Sequence, residues 1–594
     1  MLRMLIFATA LMASAAVRAD DNENHQQLNE KTVAQLQAMM ASGELSSVEL
    51  TKYYLARIHA LDENGPAVNS VIELNPDALA MAKNADRMRE KGKLLGPLHG
   101  LPVLLKDNID TGDKMQTTAG SFALVGKPAL QDSTVAAKLR AGGAVILGKT
   151  NLSEWANFRS FESFSGWSGR GGQTHNAYFM DHNPCGSSSG SAAAVSANFA
   201  AVSFGTETDG SIVCPGNANG VVAIKPTVGL TSRAGVVPIS HVQDTVGPHA
   251  RTVADAAAAL SVIQSRSSDG RDAATGGVPL GWRGVHSRPA TIPTDYTKFL
   301  DANGLKGARI GITRAGLAGF TGNTTPPSVT AAVEAAFAAL SAAGAIVIDL
   351  DAAGANLGSS GGELLVLIFD FRRDLNAYLA TRQGVPVKNF DDVIAYNDAH
   401  AKVEMPFFTQ DIFLDAATFA PGENDPQKGD PLGLGLDFGG LTYNQALDID
   451  HQAGVDFDAA MAKFNLDAVV SATDNPAWAT DFIYGDHFLF GTSSYAAGPG
   501  YPIVQVPAGN VFGVPLGISF FGTAFSEGKL IKLASGYEAA TQERAKNPPQ
   551  LLQHIPDSSA VEPPLTAKPG SDGARSASVR AVPARKETLR QHHL

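Results

Sequence analysis

The stretch CGSSSGSAAAVSANFAAVSFGTETDGSIV, residues 185–213, has three features that the rest of the chain must accommodate. The run Gly186 to Ser191 frees the backbone for torsions that side-chained residues avoid, and it crowds four hydroxyls into a short loop. Such a loop can expose a nucleophile. Ser191 to Ala197 is made of strong helix formers, with serines before it able to cap the first-turn N–H groups, so it is expected to form a buried helix. After the apolar run Ala200 to Phe204 comes a second small and polar cluster, Gly205 to Ser211, closed by Ile212 and Val213. Two serine-bearing turns therefore flank one helix.

Gly186 to Gly190 satisfies GxSxG, which would make Ser188 the nucleophile of a strand-turn-helix elbow. An elbow needs a buried strand immediately before it, whereas Met180, Asp181, His182, Asn183 and Pro184 read as a turn. The elbow reading is set aside on that ground.

The Gly-Ser-Ser run, the Ala-rich helix and the later GS dipeptide, with Ser187 and Ser211 separated by 24 positions, resemble the amidase signature family. A second segment, GLPVLLKDNIDTGDKMQTTAGS from Gly100 to Ser121, resembles that family's lysine motif. TETDGSIVCP, and SGWSGRGGQTHN from Ser165 to Asn176, are especially similar to the wording of its peptide-amidase branch. The resemblance implies a Ser-cisSer-Lys triad with Ser211 as nucleophile, Ser187 as the bridging serine behind a cis bond from Gly186, and Lys106 as base. It also implies an oxyanion hole formed by backbone N–H groups of Thr208, Asp209, Gly210 and Ser211. Three positions depart from the wider family pattern, which has Gly at Asp209, Asp at Glu207 and Arg at Val213. Backbone donation survives such changes, but substrate preference is not carried over with it.

The implied roles fit the residue types. An amide carbon is a poor electrophile, and a serine hydroxyl needs a base to take its proton. No histidine is placed by motif to do this, whereas a lysine buried away from water has its charged form disfavoured and can serve as a neutral amine near pH 7. Leu101 to Leu105 reads as a buried strand, and Lys106 follows it directly. The family implies no metal and no cofactor. His241 and His249 lack a ligand motif such as HExxH and are read as surface or packing histidines. Gly143 to Thr150 matches a phosphate-loop pattern with Lys149, but its Ala-Val-Ile-Leu interior is that of a buried strand. Ser526 to Lys529 matches SxxK without the further partners such a site requires.

At the start of the chain, Arg3 precedes the apolar run Met4 to Met12 and small residues up to Ala19, the pattern of a secretory signal peptide over residues 1–19. The run is too short for a membrane span, so export to a periplasm or beyond is expected without stable membrane insertion. A net charge of −12 argues against nucleic acid as a partner, because phosphate binding needs clustered cations. Cys185 and Cys214 lie just outside the two serines; a bond between them is conceivable, but buried free cysteine is common and is the expectation.

Residues 20–30 read as flexible, residues 31–545 as one large α/β domain with a mixed central sheet covered by helices, and residues 546–594 as a low-complexity tail. Helices are expected at Thr32 to Met40, from Ser46 with its capping-box partner Glu49 to about Ala60, and at Pro76 to Lys91, Asp132 to Arg140, Thr252 to Ile263, Val329 to Ala343 and Lys529 to Gln542. Strands are expected at Ala144 to Leu147, Val221 to Ile224, Ala308 to Thr313, Ala345 to Leu350 and Asp467 to Ser471. Residues 353–460 break this rhythm, and related amidases use that portion to shape the substrate pocket. Phe407, Phe408 and Gln410 are candidates for its lining, set against ordinary core packing. The expected activity is hydrolysis of a carboxamide, a peptide's C-terminal amide being favoured over small aliphatic or aryl amides. Two other functions remain open: a glutamine-hydrolysing amidotransferase subunit, and a noncatalytic binding module on the same fold. Oligomeric state is not legible.

Overall fold

The computed structural model describes residues 28–277, 288–318, 325–427 and 438–555. The expected signal peptide lies outside these residues, as do residues 20–27 and 556–594 of the expected flexible ends. Among the described residues the strands, in chain order, are β1 (Val71–Leu74), β2 (Pro102–Lys106), β3 (Val145–Thr150), β4 (Trp167–Ser168), β5 (Gly172–Gln173), β6 (Val202–Glu207), β7 (Val222–Lys225), β8 (Thr245–Ala250), β9 (Arg309–Ile312), β10 (Ile346–Asp349), β11 (Ala468–Ala472), β12 (Ile503–Val511) and β13 (Val514–Phe521).

Eleven of them form one sheet in the order β1-β3-β2-β6-β8-β7-β12-β13-β11-β9-β10. Pairing is parallel from β3 through β2 to β6, antiparallel from β6 through to β11, and parallel again from β11 to β10. This is the mixed α/β sheet expected of the sequence. β2, β3, β6 and β7 are buried along their whole length, because helices cover the sheet and leave no face for alternating polar residues. The helix Val253–Ile263 packs on β7 and β8, Glu527–Thr541 on β12, and Ser189–Ser196 on β6.

A second core stands beside the sheet, built by the helices Glu363–Leu379, Phe390–Ala399, Asp411–Thr418 and the start of Tyr443–Lys463. Its centre is aromatic, with Phe371, Phe390 and Phe413 ring to ring at 5.1 to 5.6 Å. This is the stretch whose rhythm departs from strand-helix alternation. Phe408 is buried under Arg159, whose guanidinium lies 4.3 Å from its ring, and Gln410 is buried in hydrogen bonds to Asn397, Asp398 and the carbonyl of Ile394. Both serve packing; Phe407 is half exposed.

Candidate active site

The Ser211 turn follows β6 in the main sheet, and the Gly-Ser run comes from a loop that lies against the same strand. The Gly-Ser run leads into the helix Ser189–Ser196, every residue of which is buried. Gly190 is required there, since a Cβ would come within 2.3 Å of the Ser70 carbonyl and 2.6 Å of that of Asn151. Ser188, expected to cap this helix, does not. Its Oγ donates to the Thr206 carbonyl at 2.9 Å and accepts from the Thr206 N–H at 3.1 Å, tying the serine loop to β6. A hydroxyl so engaged and fully buried is a poor nucleophile, which also disposes of the elbow reading.

The Gly186–Ser187 bond is cis. Lys106, the last residue of β2, extends its Nζ to Ser187 Oγ at 2.7 Å, to Thr206 Oγ1 at 2.9 Å and to the Thr206 carbonyl at 3.3 Å. Burial lowers its pKa to about 7, opposed by the charges of Asp244 and Glu207. Lys106 and Ser187 are therefore in direct contact, as expected. Ser211 arrives from the far side: the Ser188 N–H donates to the Ser211 carbonyl at 3.1 Å, while Ser211 Oγ has no hydrogen-bond partner among the described residues and the residue stays 8% exposed.

The turn before Ser211 is held from outside itself. Glu207, at the end of β6, folds back so that Oε2 accepts the N–H groups of Ile212 at 2.6 Å and Val213 at 2.9 Å. Gly210 takes the left-handed conformation, with φ 80°, that this reversal demands. Thr208 Oγ1 donates to Asp244 at 2.6 Å, and that carboxylate also accepts the N–H groups of Ile239 and Ser240. The backbone N–H groups of Thr208, Asp209, Gly210 and Ser211 have no acceptor among the described residues. Consecutive uncommitted N–H groups on a pinned turn suit an anion or a developing oxyanion.

Cys185 and Cys214 are bonded, with Cα atoms 5.9 Å apart, which corrects the expectation of free thiols. They lie at the outer ends of two turns that the Ser188–Ser211 hydrogen bond brings together, so folding itself sets them within bonding distance.

The remaining sequence matches fall into structural roles. Lys149 is buried in β3 and donates to the Ile109 carbonyl at 2.7 Å and Thr117 Oγ1 at 2.9 Å, so it is no phosphate ligand. His249 is a packing residue behind the Ser211 turn, 2.8 Å from the Ile212 carbonyl, and burial lowers its pKa to about 4. His241 is less simple than a surface residue. Its ligand atoms and those of Asp370 and Asp374 all lie within 4.8 Å of one another, but the Arg373 guanidinium bonds Asp370 at 2.6 Å and stands 3.0 Å from His241 Nδ1. A fixed cation already balances that cluster. A cavity of about 620 Å³ opens beside it, lined by Arg233, Asp244, Tyr378 and Arg382, and neither Lys106, Ser187 nor Ser211 reaches it.

Residues 49–412 match the family model described as Amidase. A "probable amidase" of Arabidopsis thaliana is 40% identical over 541 residues, covering 88% of this chain and 92% of its own. The chain belongs to the amidase family. Within it, the amidase is also 31% identical over 527 residues to a glutamyl-tRNA(Gln) amidotransferase subunit of Symbiobacterium thermophilum, covering 87% of this chain and 98% of that one. Among solved structures, the native peptide amidase of Stenotrophomonas maltophilia is 45% identical with a TM-score of 0.75, covering 88% of this chain and 99% of that one. The protein is accordingly a hydrolase acting on carbon-nitrogen bonds of linear amides.

Thr206, Glu207 and Asp244 were not singled out as site residues from the sequence. Glu207, a departure from the wider family pattern, precedes by five positions the N–H it caps, so it left a trace. Thr206 left none, because its role follows from strand register.

Proposed function

We propose that this amidase hydrolyses the C-terminal amide of peptides to the acid and ammonia through an acyl intermediate on Ser211. The observation that carries the reading is the 2.7 Å contact of Lys106 Nζ with Ser187 Oγ, with the lysine lowered by burial to about 7, beside a turn of uncommitted N–H groups. Ser211 Oγ bonds to the amide carbon as its proton passes to Ser187 and that of Ser187 to Lys106. The carbonyl oxygen takes up the electron pair against the N–H groups of residues 208–211, where a single donor is typically worth about 10²–10³ in rate. The carbon-nitrogen bond then breaks, the proton held by Lys106 returns through Ser187 to the leaving nitrogen, and ammonia departs. Water repeats the sequence on the ester and frees Ser211.

Likeness to the peptide amidase supports the substrate class. Export to an oxidising compartment belongs to the same reading, supported by the leader-like residues 1–19 and by the disulfide, a bond that persists mainly outside reducing cytoplasm.

The test is ammonia release from peptide amides, free glutamine, small aliphatic amides and an aryl ester, each repeated with Ser211→Ala. Peptide amides are expected to turn over and the variant to lose at least about 10³-fold in kcat. Turnover confined to small amides would discard the peptide preference, turnover of glutamine alone would move the protein toward the amidotransferase subunits, and an active Ser211→Ala would overturn the nucleophile. Export predicts a mature N-terminus near Asp20.

A further inference from the structure

Carboxyl groups crowd the turn that carries Ser211. Asp209, two residues before it, is half-buried, and its Oδ2 accepts from Ser494 Oγ at 2.7 Å. The Asp209 carboxylate meets the carboxyl of Glu363, which opens the helix Glu363–Leu379 and is also half-buried. Further carboxyls act on this pair or beside it from three more elements: Glu207 from β6, Asp474 from the loop after β11, and Asp450 from the helix Tyr443–Lys463. Lys225 of β7 acts on both Asp209 and Glu363, but it spends its donors on the carbonyls of Tyr501, at 2.6 Å, and Ala496, at 3.5 Å.

A neutral group reinforces the pattern independently. Gln243 is 1% exposed, its Nε2 donates to Glu363 Oε1 at 2.7 Å, and its Oε1 accepts nothing among the described residues. Both oxygens of Asp474, which is fully buried, likewise lack a donor among the described residues. Acceptors thus accumulate next to the turn without N–H groups to fill them, and unfilled buried acceptors are costly. What completes such a place is a ligand rich in donors and positively charged.

We propose that Asp209, Glu363 and Gln243 form a subsite for an ammonium or guanidinium group carried by the molecule whose amide Ser211 attacks. The proposal rests on Ser211 being the reacting residue. Burial and the negative charges of Asp209 and Asp450 hold the Glu363 proton far above the ordinary carboxylate range, so in the free protein Glu363 donates to Asp209. An arriving cation takes the place of that proton: its N–H groups donate to both carboxylates, and one proton passes to solvent. Binding of the cation therefore tightens as pH rises, and a substrate carboxylate near this point is rejected.

The test is calorimetric binding to Ser211→Ala, which needs no hydrolysis. Three probes separate the sources of charge: acetyl-lysinamide carries it on a side chain, leucyl-norleucinamide on its free amino end, and acetyl-norleucinamide not at all. At least one charged probe should bind about tenfold more tightly than the neutral one, with roughly one proton released in buffers of differing ionisation enthalpy, and Glu363→Gln should remove both effects. Equal or weaker binding of both charged probes, absence of proton release, or a preference that survives Glu363→Gln overturns the subsite. Should Glu363→Gln not fold, proton release with the Ser211→Ala protein alone decides. Ammonia release from acetyl-norleucinamide by the unaltered enzyme reports separately on the amidase reading, so either can fail without the other.

Discussion

At the end of β2, Lys106 has every donor directed at Ser187 and Thr206, and both Lys106 and Ser187 are fully buried. Burial disfavours its ammonium form, and the nearby Asp244 and Glu207 offset only part of that effect, leaving a pKa of about 7. In the proposed relay Lys106 must be neutral to accept the proton that Ser187 passes on, so kcat/KM should fall on the acid side through an apparent pKa near 7 and level off above it. A pH–rate profile with an uncharged amide reads this directly. Lys106→Arg, which stays charged throughout, should lose about 10²–10⁴-fold and show no recovery at alkaline pH; recovery would exclude Lys106 as the base. Position and motif singled out Lys106, Ser187 and Ser211 in the sequence, and the structure puts Lys106 against Ser187. The engagement of Ser188 was not legible there, because the same hydroxyl can cap a helix or bond a neighbouring strand, and only the register of β6 against the serine loop decides.

The two serine turns are joined at their bases by Cys185–Cys214, closing a loop with a sequence separation of 29. A covalent loop of that length limits the unfolded chain by roughly 3–4 kcal/mol. Replacing both cysteines by serine should lower the thermal midpoint by several degrees, and activity should fall more steeply with temperature than in the parent, since the disulfide joins the segments that carry Ser187 and Ser211. Scanning calorimetry alongside ammonia release checks both; an unchanged midpoint would mean that the hydrogen bonds between the turns suffice. Elements of this region differ in how plainly the sequence announces them. The capping box at Ser46 forms as read, because the signal and the structure are both local, while Thr32, read only as the start of a helix, carries a second one. β8, with Gly247 and Pro248 inside it, and the helix Val213–Ala218, with Pro215 and Gly216, were not foreseen. Their residues oppose the conformation locally, and burial between neighbouring strands and helices imposes it.

Across the whole molecule the two ends of the described chain meet behind the serine helix. Arg544, buried near the C-terminal end, donates to Glu30 at 2.8 and 3.2 Å, to the Ser196 carbonyl at 2.8 Å and to Ser196 Oγ at 3.0 Å. One guanidinium thereby joins the N-terminal segment, the last turn of the helix Ser189–Ser196 and the helix Glu527–Thr541 with its extension. That closure explains why residues 28–30, read as part of a flexible start, take a defined place: the ion pair lies far apart in sequence, and no local pattern announces it. Burial works to raise the pKa of Glu30, but the charge and hydrogen bonds of Arg544, with help from Arg251, outweigh it and hold the carboxyl below its ordinary value. The stabilisation from Glu30 is present above the unfolded carboxylate pKa of about 4.3 and is lost as pH falls through the lower folded value. Arg544→Met should destabilise the fold by about 3 kcal/mol, because it leaves the Ser196 carbonyl without the Arg544 donor and strips Glu30 of its nearest cation, Asn198 Nδ2 still donating to it at 2.6 Å. In chemical denaturation the difference between parent and variant should be full at pH 7 and shrink toward pH 3, as protonation of Glu30 in the parent removes part of what the substitution removes. A difference that held constant across that range would assign the whole effect to the carbonyl contacts at the end of the serine helix and none to the ion pair.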